Sequence, residues 1–225
     1  MADPTWLTAF LDLPAPEYDA AVAFWQAVTG YSVSPSRGEH DEFATLLPPS
    51  GDAFLRVQRT QEGRPGVHLD LHAPGQSFVV HRSPGGLPYC LVGGGESEPP
   101  RPATWPGGNR SMVDQVCLDI PPGIWEEECA FWAELTGWEV VAGRRPEFRR
   151  LRTPPSQPLQ VLLQCLDDAD GPVRAHLDLA TEDRTTEVRR HEELGATVVA
   201  VHAGWTVMLP PAGPVYCITG RTPRT

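Results

Sequence analysis

The chain has 225 residues, 40% of them hydrophobic, and a formal net charge of −11 at pH 7, which is the composition of a folded, water-soluble protein. This acidic balance argues against nucleic acid and disfavours an anionic partner, because the phosphate backbone requires a basic footprint. The sequence shows no apolar run of bilayer length, no signal-peptide pattern at its start and no disulfide spacing among its five cysteines, so we expect a cytoplasmic protein that binds neither nucleic acid nor membranes.

In chain order, the first half predicts a strand, a helix and then a series of short strands. The predicted strands lie near residues 6–13, 31–34, 43–47, 54–59, 67–72, 78–82 and 87–92, and the helix spans Tyr18 to Thr29. Apolar residues recur in this helix at intervals of three and four, which predicts one face packed on a sheet, and Gly30 marks its end. Phe24 lies just off this face and is expected to close the edge of the core.

Residues 94–111 are rich in glycine and proline and predict a linker without regular structure. Its prolines favour an extended path that crosses one face of the preceding domain, with Trp105 as a possible anchor. The linker therefore separates two predicted domains, residues 1–93 and residues 112–225.

The second half repeats the first. Phe24-Trp25 recurs 107 positions later as Phe131-Trp132, and the His68-Leu-Asp-Leu segment recurs 108 positions later from His176. Related segments begin at Phe10 and Cys117, so one short strand occurs in four copies. The second half also contains a predicted helix over residues 185–195 that the first half lacks. The three glutamates at 126–128 lie in the first turn of a helix, where we expect them to be solvated and to complement the helix dipole.

This pattern resembles the vicinal oxygen chelate superfamily, which includes glyoxalase I, the bleomycin-resistance proteins and the extradiol dioxygenases. The resemblance rests on the Phe-Trp-(x4)-Gly-Tyr segment from Phe24, the four repeated strands, and the glycine-containing turn at Gly213 that precedes Cys217. It implies an α+β fold of two tandem glyoxalase-like domains, each made of paired βαβββ modules that form a cupped mixed sheet. The second module of the first domain is expected to lack its helix.

In metal-dependent members of this superfamily, ligands come from the first and last strands of each module. The corresponding residues are Phe10, Gln58, His68 and Cys90 in the first domain, and Cys117, Gln164, His176 and Cys217 in the second. Because Phe10 cannot ligate a metal, the first domain is predicted to be metal-free. In the second domain Cys117, His176 and Cys217 form a possible set for one divalent metal such as zinc, iron, nickel or manganese. Burial of the two thiols as small apolar residues is the favoured alternative.

Strand alternation places the polar residues of each repeated strand on one face. Together with the positions that the resemblance implies, this gives the predicted cleft residues Gln58, His68, Asp70, His72, Cys90, Gln164, His176, Asp178 and Cys217. Asp12 and Asp119 recur without an adjacent histidine, so we interpret the repeated aspartates as structural, for example as acceptors for the proline-containing turn that follows.

Two functions remain open at this point. The first is a module of the bleomycin-resistance type that binds a small apolar or aromatic molecule without metal, with Trp6, Tyr89, Trp205 and Tyr216 near the cleft. The second is a metal-dependent lyase or isomerase of the glyoxalase type, or a dioxygenase, that uses the second domain. Whether the protein is an enzyme depends on which of these holds. The sequence favours the first, without a cofactor, and predicts a monomer or weak homodimer because the tandem repeat supplies the domain pairing internally.

Overall fold

The computed structural model describes residues 3–167 and 170–224, and in these it contains two mixed β-sheets and three α-helices. The helices are α1 (Tyr18–Thr29), α2 (Trp125–Thr136) and α3 (Arg184–Glu193). The strands of the first sheet are β1 (Trp6–Pro14), β2 (Ser32–Val33), β3 (Phe43–Leu47), β4 (Leu55–Thr60), β5 (Gly66–His72), β6 (Val79–Arg82) and β7 (Pro88–Val92). Those of the second sheet are β8 (Ala103–Thr104), β9 (Arg110–Ile120), β10 (Val140–Ala142), β11 (Phe148–Leu151), β12 (Gln160–Cys165), β13 (Arg174–Thr181), β14 (Thr197–Val201), β15 (Trp205–Leu209) and β16 (Tyr216–Gly220).

The two sheets share one topology. Their strand orders are β2-β3-β4-β1-β5-β7-β6 and β10-β11-β12-β9-β13-β16-β15-β14, with β8 added beside β9. In each sheet the first strand of the domain pairs parallel with one neighbour and antiparallel with the first strand of the second module. The predicted α+β fold of tandem βαβββ modules is therefore confirmed. Residues 73–78, which separate β5 from β6, form a turn and no helix, as the sequence predicts.

Helices α1 and α2 end in the same way because the same Thr-Gly pair follows the same apolar face. Thr29 Oγ1 donates to the carbonyl of Trp25 at 2.7 Å, and Thr136 Oγ1 donates to the carbonyl of Trp132 at 2.6 Å. The next residue in each case is a glycine with φ near +74°, which reverses the chain at little steric cost.

The linker is more structured than predicted. Its last part folds into a hairpin in which β8 pairs with the start of β9, and β9 begins at Arg110, inside the predicted linker. Two consecutive glycines, Gly107 and Gly108, adopt positive φ in the turn and allow this reversal. Trp105 anchors the segment, because its indole N–H donates to Ser111 Oγ at 2.7 Å and the guanidinium of Arg190 stacks 3.7 Å from its ring centroid.

The two domains share one continuous core, and each inserts aromatic side chains against the other. Trp25 on α1 packs against Tyr216 of the second domain, with ring centroids 5.3 Å apart. At the equivalent place, Trp132 on α2 packs against Tyr89 of the first domain at 5.5 Å. The repeat therefore produces two matching interdomain contacts, and Tyr89, like Trp6, lies in the core.

The prediction that all three glutamates at 126–128 are solvated is wrong for one of them. Glu128 is fully buried at the same interface. It accepts a hydrogen bond from the indole N–H of Trp132 at 2.8 Å and another from the backbone N–H of Gly85, in the first domain, also at 2.8 Å. Buried carboxylates require such partners, and here the partners come from the aromatic contact and from a turn of the other domain.

Within residues 3–167 and 170–224, none of the helices combines the length and the apolar character needed to cross a membrane.

Candidate functional site

The second domain contains a cavity of about 530 Å³ on one face of its sheet. Alternation along the strands selects the side chains that reach it, because every second residue points to the same face. On β9 these residues are Gln115, Cys117 and Asp119, while the intervening Val116 and Leu118 are buried in the core. The neighbouring strands contribute Leu162, Gln164, His176, Asp178, Val207, Cys217 and Thr219 by the same rule.

His176 lies at the base of this cavity with both ring nitrogens engaged. Its Nδ1 is 3.0 Å from Asp119 Oδ2, and its Nε2 is 3.4 Å from Asp178 Oδ1. Burial works against protonation, but the carboxylates of Asp119 and Asp178 outweigh it and hold the pKa of His176 well above its usual range. Asp119 fixes the orientation of the ring, so Nε2 is the nitrogen that faces Asp178 and Cys217.

Asp178 is the second polar residue at the base of the cavity, and within the described part of the chain only one of its two carboxylate oxygens accepts a hydrogen bond. Its side chain is buried; one oxygen accepts a hydrogen bond from the amide of Gln115, while the other, Oδ1, has no hydrogen-bond partner among the described residues. The imidazole of His176, 3.4 Å away, offsets the buried charge of this oxygen, which can still accept a hydrogen bond or ligate a metal ion.

Two thiols complete the base. Cys217 Sγ lies 3.6 Å from His176 Nε2, and Cys117 Sγ donates to Gln164 Oε1 at 3.6 Å. Burial raises the pKa of Cys117 to about 12 and also raises the pKa of Cys217. Ligand atoms of Cys117, Asp119 and His176 lie within 4.8 Å of one another, and so do those of His176, Asp178 and Cys217.

The outer part of the cavity is aromatic and basic. Phe148 and Trp205 meet edge to face at 5.7 Å, and His202 stacks on Trp205 at 4.5 Å. Arg144 and Arg145 line the same region, on the turn between β10 and β11, and the Arg145 guanidinium lies 5.2 Å from the Trp205 ring centroid.

The first domain has the equivalent site in a smaller form. A cavity of about 270 Å³ is lined by Gln58, His68, Asp70 and Cys90. His68 Nδ1 contacts Asp12 Oδ2 at 2.8 Å, just as His176 contacts Asp119, and His68, Asp70 and Cys90 form a third group of close ligand atoms. However, Phe10 occupies the position that Cys117 holds in the second domain. Its ring stacks on His68, with the ring centroids 4.7 Å apart. The ring fills part of the cavity, and the first site lacks the thiol ligand that Cys117 offers in the second.

His72 is the one predicted cleft residue that does not line either cavity. It projects from the same face of β5 as His68, but the linker covers this end of the sheet. Glu96 Oε2 lies 3.1 Å from His72 Nδ1, and Thr8 Oγ1 lies 2.9 Å from Nε2. Burial lowers the pKa of His72 and favours the neutral ring.

The other predicted residues line one of the two cavities: Gln58, His68, Asp70 and Cys90 in the first domain, and Gln164, His176, Asp178 and Cys217, with Cys117, in the second. Of the aromatic residues placed near the cleft, Trp205 and Tyr216 line the larger cavity. The interpretation of Asp12 and Asp119 as acceptors for the following turn needs correction, because each contacts Nδ1 of the paired histidine. The repeat carries this signal, since both aspartates recur together with both histidines.

Sequence reasoning also missed Gln115 and the basic rim of the cavity. Gln115 lies two positions before Cys117, so strand alternation could have placed it on the same face. Arg144 and Arg145 lie in a turn that is distant along the chain, and no local pattern connects them to His176.

The tandem βαβββ fold is that of the vicinal oxygen chelate superfamily. A family model described as a glyoxalase-like domain matches residues 8–83 and 115–219, and the chain therefore belongs to the glyoxalase-like domain family. No curated protein matches the sequence.

Several solved structures share the fold at low identity. The Mn(II)-bound glyoxalase from Novosphingobium aromaticivorans is 16% identical, with a TM-score of 0.65 over 97% of this chain and 83% of that one. A catechol 2,3-dioxygenase is 14% identical, with a TM-score of 0.60 over 100% and 90%. The 2,3-dioxygenase LapB from Pseudomonas sp. KL28 is 12% identical, with a TM-score of 0.60 over 94% and 90%. At this identity the likeness concerns the fold alone.

Proposed function

We propose that the protein is a divalent-metal-dependent enzyme that acts on a small oxygen-bearing molecule in the second-domain cavity, as a lyase or isomerase of the glyoxalase type or as a dioxygenase. The observation that carries the proposal is His176, whose Nδ1 is held by Asp119 while Nε2 faces Cys217 at 3.6 Å and Asp178 Oδ1 at 3.4 Å. A carboxylate that orients a histidine in this way is a common feature of metal sites in proteins. The glyoxalase and dioxygenase neighbours favour the same function.

The donor set fits a borderline-soft divalent ion. His176, Cys217 and Asp178 offer an imidazole, a thiol and a carboxylate, and Cys117 offers a second thiol beside them. Zinc accepts all three ligand types, whereas calcium and magnesium are bound through oxygen ligands. When bound, such a metal acts as a Lewis acid that polarises a substrate oxygen. The protein itself orients His176 through Asp119 and shields the base of the cavity from water with the strands around it.

The metal-free alternative has support of its own. The last strand of each module in the second domain provides Gln164 or Cys217 instead of a carboxylate. In addition, burial raises the pKa of the Cys117 thiol to about 12, so this thiol is protonated at neutral pH. On this alternative the cavity binds a small apolar or aromatic molecule in the manner of the bleomycin-resistance proteins. Metal analysis separates the two functions.

We predict about one metal ion per chain in protein purified without chelator, and none in a variant that carries Cys117→Ala and His176→Ala. The measurement is elemental analysis for zinc, iron, nickel and manganese, performed on the 225-residue chain, whose folding is checked by circular dichroism.

The first domain offers a matched control for this experiment. Cys90→Ala combined with His68→Ala removes the same residue types from the equivalent site, and this variant is expected to keep its metal, because Phe10 occupies part of that site. Parent protein without metal, even after supplementation with all four ions, would leave the metal-free binding function. If the first-domain variant loses its metal and the second-domain variant keeps it, the metal site lies in the first domain and the prediction is wrong.

We also propose that the protein is a cytoplasmic monomer or weak homodimer. All five cysteines are free, which suits a reducing compartment, and the two domains already bury their aromatic contacts against each other. Size-exclusion chromatography with light scattering should give a mass near 24.6 kDa that rises at most slightly with concentration. A stable tetramer at all concentrations would contradict this prediction.

A further inference from the structure

The second-domain cavity has two chemically different ends. Its base holds His176, Asp178 and the two thiols, whereas its outer part holds Trp205, Phe148 and the arginines. A ligand that spans the cavity therefore meets polar groups at the base, aromatic rings in the middle and positive charge at the opening.

The arginines at this opening differ in how free they are to bind a ligand. Arg221 is committed to the protein, because its guanidinium forms two hydrogen bonds with the buried carboxylate of Asp114. Arg144 and Arg145 are exposed. Arg145 has a distant ion pair with Glu147 at 3.7 Å and lies 5.2 Å from the Trp205 ring centroid, and among the described residues Arg144 has no ion pair within 4.0 Å. Two guanidinium groups on one short turn thus remain available at the opening.

The smaller cavity of the first domain shows that this basic rim is a property of one site and not of the fold. Phe43, Phe78 and Val80 form its outer part, and none of the described residues that line it is an arginine. The chain contains no lysine, so arginines are its only side chains with a permanent positive charge.

We propose that the second-domain cavity recognises a planar aromatic molecule that carries a carboxylate. The ring packs against Trp205 and Phe148, and the carboxylate is bound by Arg144 and Arg145, since guanidinium groups bind carboxylates through paired hydrogen bonds. The volume of about 530 Å³ lies in the range of cavities that enclose small ligands. This inference rests on the proposed function only in that it takes the same cavity as the functional site.

The net charge of −11 does not prevent such binding. Charges beyond about 8 Å are largely screened at physiological ionic strength, so the arginines at the opening dominate the potential that a bound carboxylate experiences. The expectation from composition that anionic partners are disfavoured therefore does not extend to this cavity.

Isothermal titration with 2-naphthoate and 2-naphthamide tests the proposal, because the two probes share their rings and differ in charge. The parent protein, treated with chelator, should bind 2-naphthoate about tenfold more tightly than 2-naphthamide, since hydrogen bonds to charged groups are stronger than neutral ones. Added salt should weaken the binding of 2-naphthoate more than that of 2-naphthamide.

In the variant with Arg144→Gln and Arg145→Gln, the preference for 2-naphthoate should disappear while 2-naphthamide binds as before. Arg150→Gln with Arg152→Gln is the matched control, because it removes the same charge close by from residues that do not line the cavity. Failure of both probes to bind the parent, equal affinity for both probes, or a preference that survives in the first variant would each overturn the proposal. Because the titration uses metal-free protein, a negative metal analysis would refute the proposed function without affecting this result.

Discussion

Replacing Trp25 or Trp132 by alanine is expected to lower the free energy of unfolding by about 3–5 kcal/mol in each case. Both side chains are almost completely buried, and each packs against a tyrosine of the other domain. Truncation leaves a large cavity in the interdomain core and also removes an aromatic contact, which contributes about 0.5–1.5 kcal/mol beyond the buried area. Chemical denaturation, analysed as one transition if the shared core unfolds cooperatively, measures this loss.

Trp125→Ala provides the matched control for the two core variants. Trp125 begins helix α2 and is partly exposed, with Arg149 stacked on its ring at 4.9 Å. Its removal should therefore cost clearly less than the removal of Trp132 from the same helix. An unchanged denaturation midpoint for Trp25→Ala or Trp132→Ala would show that the aromatic faces of α1 and α2 do not pack as the structure describes.

Replacing Glu187 by glutamine is expected to lower the free energy of unfolding by about 3 kcal/mol at neutral pH. Glu187 is fully buried on α3 and accepts hydrogen bonds from Arg190 at 2.6 Å, Ser111 at 2.7 Å and Asn109 at 2.8 Å. Arg190 in turn donates to the carbonyl of Val28 at the end of α1, at 2.9 Å. The carboxylate thus holds together the second domain, the β8–β9 hairpin and the first domain.

The same carboxylate should make stability depend on pH. Burial alone would raise the pKa of Glu187, but hydrogen bonds from His191, Arg190 and Ser111 outweigh it and lower the pKa from 4.5 to about 2. Because the folded-state pKa is the lower one, this contribution is present above pH 4.5 and is lost as the pH falls from about 4.5 to about 2. Denaturation curves across this range should show a smaller acid-induced loss in Glu187→Gln than in the parent.

Glu193→Gln is the control for this effect, because Glu193 is exposed on the same helix. It should change neither the stability at neutral pH nor its dependence on acid. A Glu187→Gln variant as stable as the parent at neutral pH would mean that the buried ion pairs do not contribute to joining the domains.

Much of the architecture could be predicted because it is encoded by local patterns. The predicted helix from Tyr18 to Thr29 matches α1, and each predicted strand of the first half overlaps an observed one within a few residues. The hairpin at 103–111 was missed because its glycines and prolines are also typical of an unstructured linker. Glu128 and Glu187 lie in first turns where solvated acids are common, and their burial depends on partners more than 40 residues away in the chain.

By itself, the sequence determined the repeated strands, the helix faces, the missing helix and the face of each strand that carries the polar residues, because spacing along the chain controls all of these. Only the tertiary structure decided that Asp119 orients His176, that the linker covers His72, that Phe10 fills the first site and that Arg144 lies at the opening of the second. These relationships join residues from different strands and turns. They depend on the distances that packing creates, and such distances leave no periodic trace in the sequence.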